Sequence, residues 1–169
     1  MLGRNRLRSI QIGHGARQLQ YSIMRARRKA HAPHRHFKRP AEFTFLVDAQ
    51  LHWLSPHMHL RGKDMMYKLV FPDGREQIVL NVPRYDFNWR LGYDLAEPVK
   101  VPKGTKLIVI AHYDNSANNK FNPDPNRTVY NGNMTWEEMF SPFFAIAVDK
   151  SVDPAKALKA PRVVGAGGA

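Results

Sequence analysis

The sequence predicts an all-β domain, an antiparallel β-sandwich or jelly roll, over residues 41–148. Three observations predict it. Apolar residues recur in short alternating or continuous runs, most runs are bounded by Pro, Gly, Asn or Asp, and no segment sustains a helical period. Strands of this length and spacing bury their apolar faces best as two packed antiparallel sheets.

The elements follow in order. EFTFLV alternates at Phe43, Phe45 and Val47. MMYKLVF (65–71) and EQIVLNV (76–82) flank Pro72-Asp73-Gly74, where Pro fixes φ and Gly accepts a positive φ, so they predict a hairpin. RYDFNWRLGYDL (84–95) alternates Tyr85, Phe87, Trp89 and Leu91 and predicts a further strand, its aromatics expected in the core together with Trp136. VPKGTKLIVIAHY holds a turn at Pro102-Lys103-Gly104 and a buried strand from Leu107 to His112, and SPFFAIAV (141–148) closes the domain. Between them, DNSANNKFNPDPNRTVYNGN (114–133) predicts a long loop, functional or mobile.

Outside this region composition changes. All but one unit of the net charge of +12 resides in residues 1–40, which hold 11 of the 26 Lys and Arg and no Asp or Glu, leaving 15 basic against 14 acidic residues in the remainder. That first segment is expected to be disordered, or a marginal helix between Gln18 and Lys29, because its apolar residues are too sparse to offset the entropy of ordering it. A solvated tail is preferred over a polyanion-binding arm, so no nucleic-acid partner is expected. Residues 149–169, ending VVGAGGA, predict a flexible C-terminal tail. With no cysteine, disulfides and thiolate metal sites are excluded, and any metal must be held by His, Met, Asp or Glu. No apolar run is long enough to span a bilayer, and the N-terminus lacks the apolar stretch of an export signal.

PHMHLRGKDM (56–65) places His57 and His59 one residue apart at a strand edge. Alternate residues of a strand share a face, so both imidazoles can reach one ion while Met58 points the other way. Such a pair is more often solvated than ligated, and the metal depends on what completes the shell. Candidates are His112, Glu137, Glu138 and a methionine; His52 is less suited because Pro56 interrupts the strand between it and the pair. Met139, just after the long loop, is a thioether in a charged setting, and a soft ligand beside two imidazoles selects copper over zinc.

PHMHLRGKDM, VPRYDFNW, AHYDNSANNKFNPDP and TWEEMF together resemble the C-terminal domain of the copper type II, ascorbate-dependent monooxygenases, in the bacterial branch of the family that includes peptidylglycine α-hydroxylating monooxygenase and dopamine β-monooxygenase. The likeness covers about residues 41–148. It implies a jelly roll with one M-type copper that activates O2 for C–H hydroxylation, with ascorbate as external reductant. It also implies metal ligands His57, His59 and Met139, a non-ligand role for His112, and a periplasmic or secreted setting.

Two departures shape the expectation. The family's electron-transfer copper is held by three histidines in a preceding domain, whereas only about 40 residues, rich in Lys and Arg, precede the match here, and His31, His34 and His36 are a poor substitute in so cationic a segment. The chain is therefore expected to be an incomplete monooxygenase, with its first strand open to doubt. It should bind copper and turn over poorly alone, with a non-catalytic copper-binding module as the alternative. The peptide-hydroxylating relatives hold a substrate carboxylate at positions occupied here by Ser55, Ser141 and Phe143, so recognition of a C-terminal glycine peptide is not expected.

Overall fold

The computed structural model describes residues 8–12, 16–21 and 36–163. Along them run strands β1 (Arg8–Ile12), β2 (Ala16–Tyr21), β3 (His36–Phe45), β4 (Ala49–Met58), β5 (Gly62–Val70), β6 (Glu76–Val82), β7 (Tyr93–Val101), β8 (Lys106–Asp114), β9 (Phe140–Asp149) and β10 (Leu158–Val163), with a 3₁₀ turn at Pro154–Lys156. They form two five-stranded sheets, β1-β2-β9-β4-β7 and β10-β3-β8-β5-β6, in which all neighbours are antiparallel. The all-β sandwich is as the sequence predicts.

Alternation builds the interior. Phe43 and Phe45 of β3, Met65, Tyr67 and Leu69 of β5, and Leu107 and Val109 of β8 face Leu51 and Leu54 of β4 and Phe144, Ile146 and Val148 of β9, all buried in one cluster. The Phe43 and Phe144 rings meet edge-on at 4.8 Å across the two sheets. Fully burying side chains of this size stabilises by about 1.5–3 kcal/mol each. The β5–β6 hairpin turns at Pro72–Gly74, with Gly74 at φ 84°.

One irregularity places the site. In β4 the register against both β7 and β9 shifts between Leu51 and Trp53. Before the shift Ala49 and Leu51 are buried; after it Leu54, Pro56 and Met58 are, so the inward set passes from odd to even positions. The extra residue of such a bulge flips the side chains beyond it. Without it, His57 would point into the core; with it, His57 emerges on the outer face of the first sheet.

Four expectations meet a different structure. Strands β1, β2 and the first half of β3 fall within residues 1–40, where disorder was expected, and β2 includes Gln18 of the expected marginal helix. The change of composition at residue 40 falls inside β3 and is no boundary of the fold. Likewise the 3₁₀ turn and β10 occupy the segment expected to be a flexible C-terminal tail. These strands are recruited by backbone pairing, β2 along β9 and β10 along β3, which needs no apolar stripe of its own. Finally, residues 84–92 form a loop and not a strand, since β7 begins at Tyr93. His31 and His34 lie outside the described residues.

Candidate metal centre

β4 pairs with β9 through Ser55↔Phe143, His57↔Ser141 and Met58↔Phe140. Phe140 and Met58 belong to the core, so their neighbours on each chain turn outward. The pairing ends there, and His59 and Met139 are the next residue on each chain, just outside the strands. The pairing of β4 with β9 thus puts His57 on the outer face of the sheet, with His59 and the backbone of Met139 following at the same end.

The two imidazoles lie at right angles with ring centroids 5.5 Å apart. A histidine bound at about 2.0 Å places its ring centre roughly 3 Å from the ion, so two on one tetrahedral ion sit roughly 5 Å apart. The observed spacing fits. Nδ1 of His59 is 3.2 Å from the Glu137 carbonyl oxygen. A carbonyl only accepts, so this contact calls for the hydrogen on Nδ1, and a second backbone carbonyl, that of Met134, also faces the ring. Burial, then the neighbouring His59 and Arg90, push the His57 imidazole down to about 4, and burial lowers His59 as well. Both rings are therefore neutral donors at physiological pH.

Aromatic walls surround them. Phe87 lies 6.5 Å from the His57 ring and 6.1 Å from that of His59, and Phe143 lies 6.2 Å from His57. His59 is only 4% exposed. Phe87 comes from the 83–92 loop, which takes over where β7 leaves β4: Ser55 Oγ donates to the Leu91 carbonyl at 3.2 Å. The Tyr85 hydroxyl donates to the Met58 carbonyl at 2.7 Å and accepts the Met58 N–H at 3.0 Å. Gly62 keeps this corner tight, because a Cβ there would lie 2.7 Å from that of Met58 and 2.9 Å from the Tyr85 ring.

On the Met139 side the organiser is Arg61, 1% exposed. It donates to Asn115 Oδ1 at 2.7 Å, to the Trp136 carbonyl at 2.6 Å and to the Asp124 carbonyl at 3.4 Å. Burial lowers its pKa, opposed by the nearby Glu138 and Asp124. Met139 itself is clasped through its backbone: its N–H donates to Glu138 Oε1 at 3.2 Å and its carbonyl accepts the Tyr113 hydroxyl at 2.9 Å. The long loop is built from side chains of Asp114, Ser116, Asn119, Asn122 and Asp124, each accepting the backbone N–H two residues on. That explains its Asn content.

Other candidates sit elsewhere. His112 is on the outer face of the second sheet, its Nδ1 2.5 Å from Asp64 Oδ1, so a zinc site of His57, His59 and His112 is not assembled. Glu138 is buried, and the Glu137 carboxylate accepts the Met134 N–H at 2.9 Å. Among the described residues no three His, Asp or Glu side chains are grouped to hold a metal ion, so a third donor to the pair would have to be of another type. Of the aromatics expected inside, Tyr85 is buried, whereas Trp89 is 69% and Trp136 50% exposed. Arg61, Phe87 and Arg90 were not singled out from sequence. A buried arginine looks like any surface one, and Phe87 reads as one more apolar residue of an alternating run. No protein-family model and no curated protein matches the chain.

Proposed function

We propose that the chain carries the M-type copper site of a copper- and ascorbate-dependent monooxygenase domain, with His57, His59 and Met139 as ligands. The observation that carries this reading is the imidazole pair at 5.5 Å, at the end of the β4–β9 ladder where Met139 immediately precedes β9. The donor chemistry supports it: two neutral imidazoles with one thioether suit copper, above all Cu(I), better than zinc. When bound there, copper would supply activation of O2 for hydroxylation of a substrate C–H bond, with ascorbate as the electron source.

The chain's own residues prepare that chemistry. The Glu137 carbonyl orients the His59 ring, Phe87 and Phe143 flank the imidazoles, and Arg61 with Tyr113 holds the approach to Met139. Anaerobic titration of the full chain with Cu(I) should show a single equivalent bound, lost in His57→Ala and in His59→Ala. Ascorbate-dependent O2 uptake by the copper-loaded chain then separates an enzyme from a copper-holding module. Copper bound without uptake favours the module; no copper bound removes both.

A further inference from the structure

The outer face beside His57 holds a cation with no acidic partner. Arg90 projects from the 83–92 loop with its guanidinium carbon 4.2 Å over the centre of the Phe87 ring, and that ring in turn lies against both imidazoles. Among the described residues Arg90 forms no ion pair, unlike Lys68 with Glu76, Arg75 with Asp73 and Lys106 with Glu42. Asp86, four residues earlier, spends one carboxylate oxygen on the Asn88 N–H. The surroundings are apolar: Phe87 and Phe143 line the imidazoles, and Trp89 and Leu91 on either side of Arg90 are exposed.

We infer that Arg90 is the anion-binding end of a substrate subsite, and that the molecule it admits beside His57 and His59 is a carboxylate with an apolar body. This rests on the copper-site reading for its reaction, though not for its binding. An arginine stacked on an aromatic face keeps its planar fork presented edge-on, ready for a bidentate carboxylate. The stack limits the side-chain entropy lost on pairing, and the adjoining apolar surface gives the rest of such a molecule something to cover. The Phe87 ring on which Arg90 stacks lies 6.5 Å from His57 and 6.1 Å from His59, which places the anion's anchor beside the site. It also comes from a different element than Ser55, Ser141 and Phe143, so it implies an approach along the 83–92 loop and not along β4.

The test compares 3-phenylpropionate with 3-phenylpropanamide, which differ only in the charged end, by calorimetric titration of the full chain, copper-free and Cu(I)-loaded. The acid should bind about fivefold tighter than the amide at low salt, the upper range for an exposed ion pair, and the preference should fade as salt rises. Arg90→Gln should bring the ratio to about one with the amide's affinity unchanged, and Arg90→Lys should retain part of the preference. Equal binding of acid and amide by the wild type, no binding of either, or an acid preference that survives Arg90→Gln overturns the proposal. Failure to bind Cu(I) overturns the copper site instead, because the acid preference is read in the copper-free chain.

Discussion

Met58, between the two histidines, decides where their rings go. Its side chain is buried in the core and both its backbone polar groups are held by the Tyr85 hydroxyl, so the residues on either side of it must face outward. Tyr85→Phe leaves a buried N–H and carbonyl without that partner and should destabilise the chain by about 1–3 kcal/mol in urea unfolding. The same residue gives an alkaline signature. Burial raises the Tyr85 phenol to about 12. Above pH ~10 the unfolded chain loses this proton while the folded chain keeps it, so the contribution is complete below ~10 and is lost as pH rises through 12. The wild-type stability curve should therefore fall more steeply between those limits than that of Tyr85→Phe, Tyr67 contributing to both; parallel curves would show that Tyr85 ionises freely. At the metal site, loss of either histidine should weaken Cu(I) by more than the roughly 10- to 100-fold that loss of an outer-shell partner costs. Met139→Leu keeps the volume, removes the thioether and should weaken Cu(I) less than either histidine change but measurably, while His112→Ala, on the other sheet, should leave it unaltered. The reverse ranking of the last two would restore a site built on His112.

At the scale of elements, the segment from Asn115 to Met139 is long and irregular, and among the side chains that tie it to the domain Arg61 makes three of the hydrogen bonds, beside those of His59 to Glu137 and Tyr113 to Met139. Arg61→Met removes three hydrogen bonds from a buried position near Glu138 and should cost about 3 kcal/mol or more. Hydrogen exchange should report loss of protection concentrated in residues 115–139, with the β5–β6 hairpin unaffected; uniform loss over the sandwich would mean that Arg61 supports the fold at large. The comparison shows what a sequence makes legible. The β5–β6 hairpin was readable because Pro72 and Gly74 act locally, and β8 because residues 107–111 are an unbroken apolar run behind the Pro102-Lys103-Gly104 turn. The His57–His59 pair was readable by strand parity alone. Which face that parity served was not, since it depends on the shift at Leu51–Trp53, and a bulge is set by pairing with β7 and β9. The 84–92 alternation misled because Tyr85 turns inward to cap Met58 while Trp89 stays in water. Strands β1, β2 and β10 escaped notice because backbone hydrogen bonds to an existing edge leave no periodic trace.

For the molecule as a whole, the proposed ligands come from two places that only the folded sandwich unites: the end of β4 and the residue before β9. Unfolding separates them, so a metal that binds all three binds the native state and stabilises it by mass action. Free Cu(I) held at about 100 times its dissociation constant should add about 2.7 kcal/mol, a rise of roughly 5–10 °C in Tm for a chain of this size. The shift should vanish in His57→Ala, shrink in Met139→Leu and persist in His112→Ala. Zinc should raise Tm less than Cu(I), because the thioether contributes little to a harder ion. The chain's other histidines can bind metal when unfolded and so reduce the shift for both ions alike, which leaves the order between them as the diagnostic. An equal or larger shift with zinc, unaffected by Met139→Leu, would mean that the two imidazoles act without the methionine and that copper is not the metal selected. A Tm indifferent to Cu(I) in a chain that still unfolds cooperatively would mean that β4 and β9, though paired, do not present a common site.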